Sequence, residues 1–241
     1  MKSTESLPRN LAEALSEAES LHVSLNSRLS AYRDFSRRLR PDVAKAYDDL
    51  IKRLAVLDAG EVGPKAGEPM PPFVLPNENG DLVSLASLLR QGPAVISFNR
   101  GHWCPYCKLE LRTLAAANSR IRELGACVVS IMPDSARFTG DYVRKNDLPF
   151  PVLTDIDLGY ALSLGLIFWV GTEVERLYRS VGLELDKYQG NGGIFLPMAA
   201  KFIVGQDGLI KARQVNIEFR ERMDPEAIIT VLEEMRAKHL S

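Results

Sequence analysis

An apolar run, Ala94-Val95-Ile96-Ser97-Phe98, leads into Asn99-Arg100-Gly101-His102-Trp103-Cys104-Pro105-Tyr106-Cys107. Lys108-Leu109-Glu110-Leu111-Arg112-Thr113-Leu114 follows with the spacing of an amphipathic helix. A pair of cysteines therefore stands where a buried strand turns into a helix. Gly125 ends that helix, and Ala126-Cys127-Val128-Val129-Ser130-Ile131-Met132 returns as a second apolar run. Strand, helix and strand in this order make a βαβ unit, whose crossover lays the two strands parallel. The expected class is α/β.

Ahead of this unit, residues 7 to 57 read as helix only. Leu11, Leu15, Leu25, Leu29, Tyr32 and Leu39 form one long apolar stripe, broken at Arg40 by Pro41. A second helix then runs to Ala59-Gly60. Arg28, Arg33, Arg37, Arg38 and Arg40 are expected on a solvated face, since no interleaved aromatic residues offer a base-stacking surface. Glycine and proline between Asp58 and Pro72 mark a linker. The organisation expected is a helical arm, residues 1–61, and an α/β domain, residues 62–241.

Within the domain, Phe73-Val74-Leu75 and Leu82-Val83-Ser84-Leu85 read as strands joined through Asn79-Gly80. Past the βαβ unit, Pro133-Asp134-Ser135 offers a helix cap, residues 150 to 155 a strand, and Asp157 to Leu164 a short helix. Leu166 to Val170 is a strand or a pocket wall, and Thr172 to Arg179 is helical. Gly190-Asn191-Gly192-Gly193 precedes strand rather than helix, so it reads as a loop and not a phosphate cradle. Residues 199 to 204 and 209 to 215 form a hairpin around Gly205-Gln206-Asp207-Gly208, and Asp224-Pro225 opens a final helix.

The chemistry expected of the dithiol follows from its place. Cys104 falls at the helix cap and Cys107 one turn in, a spacing that puts both on one face. Unpaired N–H groups and the positive end of the macrodipole favour thiolate over thiol, and Pro105 suits the first helical position. Arg100 and His102 add nearby positive or polarisable groups. Trp103 and Tyr106 are expected beside the sulfurs. The reading requires that the sulfurs face the same way and that solvent has a route to them. Cys127, within an apolar strand, reads as a buried small hydrophobe. A zinc site built on His102, Cys104 and Cys107 would lack its fourth ligand, so no metal is expected.

Charge and composition narrow the partners. A net charge of −1 gives no basic footprint for nucleic acid. No apolar run is long enough to cross a bilayer, and the first six residues lack a secretory signal core. With three cysteines and no disulfide framework, a cytoplasmic location is expected. No flavin, haem or nucleotide motif is found, so no cofactor is expected.

Phe98 through Cys107 resembles the signature of the peroxiredoxin-like branch of the alkyl hydroperoxide reductase/thiol-specific antioxidant family. Further matches are Gly67-Glu68 through Leu75, Asn79-Gly80, Leu196-Pro197 through Val204, and Asp207-Gly208. The resemblance implies a thioredoxin-like fold, a central mixed sheet flanked by helices, and thiol-dependent reduction of hydroperoxides. It puts Cys107 in the place of the peroxidatic cysteine, Cys104 in that of the family's threonine and Arg100 in that of its proline. The family's peroxide-activating arginine would fall near Ala199, and none is there. Trp103 through Cys107 also resembles the active segments of thioredoxins and glutaredoxins, in which the first cysteine attacks. The leading expectation is a peroxidase in which Cys107 attacks a hydroperoxide, Cys104 closes the disulfide, and an external dithiol such as thioredoxin reopens it. A disulfide reductase led by Cys104, or a redox sensor whose arm binds a partner, are the other readings. The arm and the family are compatible with a homodimer.

Overall fold

The structure, a computed structural model, describes residues 8–61, 63–192 and 194–240. Its N-terminal arm is three helices: α1 (Leu11–Ser20), α2 (Leu25–Leu39) and α3 (Pro41–Val56). The single stripe expected up to Arg40 is in fact a hairpin. Leu21 is extended, and the Ser24 hydroxyl accepts the Ser27 N–H to start α2 afresh. The fold-back lets Ala14 and Ala18 of α1 and Leu25 and Leu29 of α2 enter one fully buried core. Replacing Leu29 by Ala there would cost about 2–5 kcal/mol. The break at Arg40 is as expected, with Pro41 in the first position of α3. That helix stops at Val56, short of the expected Ala59-Gly60, where a 3₁₀ turn (Ala59–Glu61) follows instead. Val62, the first residue of the expected α/β domain, lies outside the described residues, as do Gly193 and the residues read for a signal.

The rest runs β1 (Val74–Pro76), β2 (Leu82–Ser84), α4 (Leu85–Leu89), β3 (Ala94–Phe98), α5 (Pro105–Glu123), β4 (Cys127–Met132), α6 (Ala136–Asn146) and β5 (Val152–Thr154). Then come α7 (Gly159–Ser163), β6 (Ile167–Trp169), α8 (Thr172–Ser180), α9 (Leu185–Gln189), β7 (Phe195–Pro197), β8 (Ala199–Val204), β9 (Ile210–Asn216) and α10 (Pro225–Leu240). The short α9 and β7 have no counterpart in the sequence pattern. β7 pairs with β6 through Ile167↔Pro197, a partner no local pattern could reveal.

Among the described residues five strands form the central sheet, in the order β5-β4-β3-β8-β9. β3 runs parallel to β4, with Ala94 opposite Cys127, and antiparallel to β8. The sheet is therefore mixed, and β3 lies at its centre. Every residue of β3 is buried, because both faces are covered. Ile96, Phe98, Val129 and Ile131 pack on one face. Val95, Val128 and Met132 meet α5 and α10 on the other, through Leu111, Leu114, Ile228 and Leu232. This sandwich fixes the C-terminal end of β3, and with it the turn that carries the dithiol.

Candidate active site

The turn between β3 and α5 is held at three points. Gly101 takes φ +149°, and a Cβ there would stand 2.3 Å from Trp103 Nε1, so only glycine lets the indole close over it. Asp134, fully buried at the end of β4, accepts the His102 backbone N–H at 2.6 Å and its Nδ1 at 2.8 Å. Asp134 thus anchors the turn, and its neighbour Ser135 takes the expected cap position of α6. Cys104 then caps α5, Pro105 is its first residue, and Cys107 sits one turn in. The two thiols lie in one buried cluster at the start of the helix, close enough for each to act on the other's titration.

Access to them is another matter. Cys104 is 1% exposed and Cys107 is not exposed at all, so the expected route for solvent is closed in this conformation. The physical reason is the arm. Ala14, Leu25, Leu29 and Tyr32 share a core with Cys104, Cys107, Tyr106 and Phe219. The apolar stripe of the hairpin needed a surface to cover, and the dithiol helix supplies it.

Two buried guanidinium groups act on the sulfurs, one of them in contact. Arg100, 1% exposed, lies 3.9 Å over the Phe219 ring, also faces Trp103 and Tyr47, and donates to the Tyr178 hydroxyl at 2.5 Å. All of these partners are neutral, and its Nε has none. Arg222 places an Nη 4.0 Å from Cys107 Sγ, and its Nε donates to Glu110 at 3.0 Å. Glu110 also pairs with Lys201 at 2.7 Å, at an angle outside that of a hydrogen bond. Glu110, Lys201 and Arg222 are all essentially buried.

The charges act unequally on the pair. Burial pushes the Cys104 thiol up, but the Cys107 hydrogen bond, the Arg100 guanidinium, the Cys107 N–H and Arg222 together outweigh it. The result is a thiol drawn down from its ordinary 9.0 to about 6. At Cys107, burial, the shared hydrogen bond and the charge on Cys104 push the thiol well above its usual range, with Arg222 opposing. Ionisation is thereby favoured at Cys104 and disfavoured at Cys107. Cys127 is partly buried, and burial raises its thiol.

Of the residues singled out in the sequence, Arg100, Cys104, Cys107, Trp103 and Tyr106 come together. Trp103 packs at 5.4 Å against Tyr178 and faces Arg100. Tyr106 is a packing residue, edge-on to Tyr32 at 5.1 Å and Phe219 at 5.6 Å. His102 pairs with Asp134 and stacks on Phe138, and among the described residues it bonds neither thiol. No group of three His, Cys, Asp or Glu side chains among the described residues is arranged to hold a metal ion.

Sequence reasoning missed Arg222, Glu110, Lys201, Tyr178 and Phe219. Glu110, three residues past Cys107, and Lys201, inside an apolar strand, are charges at positions that should be apolar, which was a legible signal. Arg222 carried none. Ala199 does lie in the dithiol core, as the resemblance requires, but the guanidinium beside Cys107 comes from beyond β9.

Beside the dithiol turn lies a cavity of about 350 Å³, lined mainly by apolar atoms. Leu11, Leu15, Tyr32 and Val43 of the arm form one side; Trp103 and Pro105, which flank Cys104, form part of the other.

Comparison with known proteins agrees with this architecture. The model of the AhpC/TSA family matches residues 66–213. Peroxiredoxin Q, chloroplastic, of Sedum lineare is 32% identical over 89 residues, 37% of this chain and 47% of that protein, so the match spans about half of the relative. Peroxidoxin BcpB of Mycobacterium tuberculosis superposes with a TM-score of 0.56 at 19% identity, over 71% of this chain and 97% of that one. A mutant of the peroxiredoxin 6 of Arenicola marina gives 0.59 at 16% identity, over 73% and 76%. These likenesses show the thioredoxin-like fold.

Proposed function

This chain belongs to the AhpC/TSA family, and on that premise we propose that it is a thiol-dependent peroxidase working through Cys104 and Cys107. The observation that carries the proposal is the Cys104–Cys107 pair at the start of α5, with the Arg222 guanidinium 4.0 Å from Cys107 Sγ and surroundings that draw the Cys104 thiol down and push the Cys107 thiol up. The thiolate attacks one oxygen of a hydroperoxide, the O–O bond breaks, and Cys104 becomes a sulfenic acid. The leaving oxygen departs as an alkoxide or hydroxide, stabilised by Arg100 and Arg222, and takes up a proton. Cys107 then displaces hydroxide from the sulfenic sulfur, giving a disulfide and, with the thiol's proton, water. An external dithiol such as thioredoxin returns two electrons and two protons. Electrostatics thus favour attack by Cys104, whereas the family alignment gives that place to Cys107.

A protein disulfide reductase led by Cys104 is the second reading, favoured by the same lowered thiol. Burial weighs against it: a protein disulfide needs an exposed sulfur, and Cys104 is 1% exposed, whereas a hydroperoxide is a far smaller substrate. Among the described residues no helix is long and apolar enough to cross a membrane. The Sedum relative is named as chloroplastic, so kinship does not carry the cytoplasmic expectation to this chain. The test is a single-turnover reaction with hydrogen peroxide followed by sulfenic-acid trapping and mass spectrometry, then recycling with thioredoxin. Peroxide consumption with a trapped sulfenic acid upholds the proposal. Insulin reduction without peroxide consumption would replace it by the second reading.

A further inference from the structure

The end of α5 remote from the dithiol faces a cavity that no step of the proposed reaction uses. Asn118, which lines it, stands about 20 Å along the helix from Cys104. The cavity measures about 400 Å³, within the range of small-molecule sites. Asn118 and Arg122 of α5 form one side, Val128 at the start of β4 the floor, and Pro149, Phe150 and Pro151 the other side. A second depression continues it past Asn118, Arg122 and Pro149, and adds Glu123.

Asn118 marks the cavity as a site. Its side chain is 6% exposed, it lines both depressions, and its amide makes no hydrogen bond among the described residues. A buried carboxamide left without partners costs about 1–3 kcal/mol, which a molecule entering the cavity can restore. The floor holds a second unanswered group. Cys127 gives its N–H to Pro93 beside β3, and Ser130 gives its N–H to Pro151 beside β5. By the alternation of a strand paired on both sides, Val128 turns its C=O the same way as Ser130. The β4–β5 pairing begins only at Ser130↔Val152, and Pro151 has no N–H to offer that carbonyl.

Charge narrows the occupant. Arg122 is the one charged side chain lining the 400 Å³ cavity among the described residues, and Glu123 enters with the second depression. Both are exposed, and neither has a hydrogen-bond or ion-pair partner among the described residues. They stand in the last turn of α5, where the negative end of the macrodipole disfavours a simple anion and favours an ammonium. We infer that this groove binds a short zwitterionic peptide, of about two or three residues by its volume. Arg122 meets the C-terminal carboxylate, Glu123 meets the N-terminal ammonium, and Asn118 exchanges hydrogen bonds with a peptide unit between them. Pro149 and Phe150 give its side chains an apolar wall. The inference is independent of the peroxidase reading.

NMR titration of the reduced, full-length protein with trialanine tests it. Saturable shifts are expected at the Asn118 side-chain amide and at Val128, and none at Cys104 or Cys107. Trialanine amide, which lacks the carboxylate, should bind about tenfold more weakly through loss of a charge-assisted contact. N-acetyl-trialanine, which lacks the ammonium, should also bind more weakly than trialanine. Arg122→Gln should weaken trialanine about tenfold and abolish its advantage over the amide. Asn118→Leu, which removes the hydrogen bonds at nearly constant volume, should weaken all three ligands about tenfold. Arg122→Gln changes an exposed residue and keeps the test alive should Asn118→Leu fail to fold. No saturable binding, equal binding of trialanine and either blocked form, or binding undiminished in Arg122→Gln overturns the inference, whatever the protein does with hydrogen peroxide.

Discussion

The Cys104 side and the Cys107 side of the dithiol each have a buried guanidinium, yet they treat their sulfurs in opposite ways. Arg100 has only neutral company, a tyrosine hydroxyl and aromatic faces, so its charge is left to act on Cys104. Arg222 stands 4.0 Å from Cys107 but is matched by Glu110, which itself pushes the Cys107 thiol up. A cation lowers a neighbour's pKa only to the extent that no other anion already answers it. The burial of both sulfurs makes the contrast sharper, since little water is present to screen it.

The strongest way to break this comparison is to remove each sulfur in turn. Cys104→Ser is expected to abolish sulfenic-acid formation, whereas Cys107→Ser keeps one turnover and accumulates a trappable sulfenic acid at Cys104. A trapped sulfenic acid at Cys107 in Cys104→Ser would reverse the assignment. Next in size, Arg100→Met removes the unanswered cation. Rapid-mixing kinetics should show peroxide reduction slowed by about 10²–10³. Alkylation against pH should show the Cys104 titration moving up from about 6 toward 9.0.

Glu110→Gln attacks the other side. It leaves Lys201 and Arg222 buried without their carboxylate, at a cost of about 3–5 kcal/mol in urea unfolding. The Cys107 thiol should titrate lower in the same protein, because a negative charge that raised it has gone. The smallest effect is on stability against pH. Between about 6 and 9.0 native Cys104 has released a proton that the unfolded chain still holds. Stability of the reduced protein therefore rises with pH across that window, by at most about 1.4 kcal/mol per unit, and is lost as pH falls through 6. Cys104→Ser should flatten this slope in chemical denaturation.

Much of this was legible from residues alone. Alternation of apolar runs with helical spacing located β3, α5 and β4, and Pro105 with the two cysteines located the start of α5. The break at Arg40 followed from Pro41. What was not legible had no local cause. The hairpin of α1 and α2 turns on a single serine cap, and a stripe of period 3.6 reads the same whether a helix continues or folds back. β6 and β7 pair across 167 to 197, and short strands of that kind are stabilised by partners rather than by propensity.

By itself the sequence determined that two thiols would stand on one face at the start of a helix behind a buried parallel strand. That is a matter of neighbours in the chain, of spacing and of apolar pattern. Only the tertiary structure decided which charges surround each thiol, and that the arm would close over both. Those outcomes depend on Arg222, 115 residues from Cys107, on Tyr178, 78 residues from Arg100, and on helices that come before β1 in the chain. A pKa is set by every charge and every displaced water within reach, and reach is measured through space.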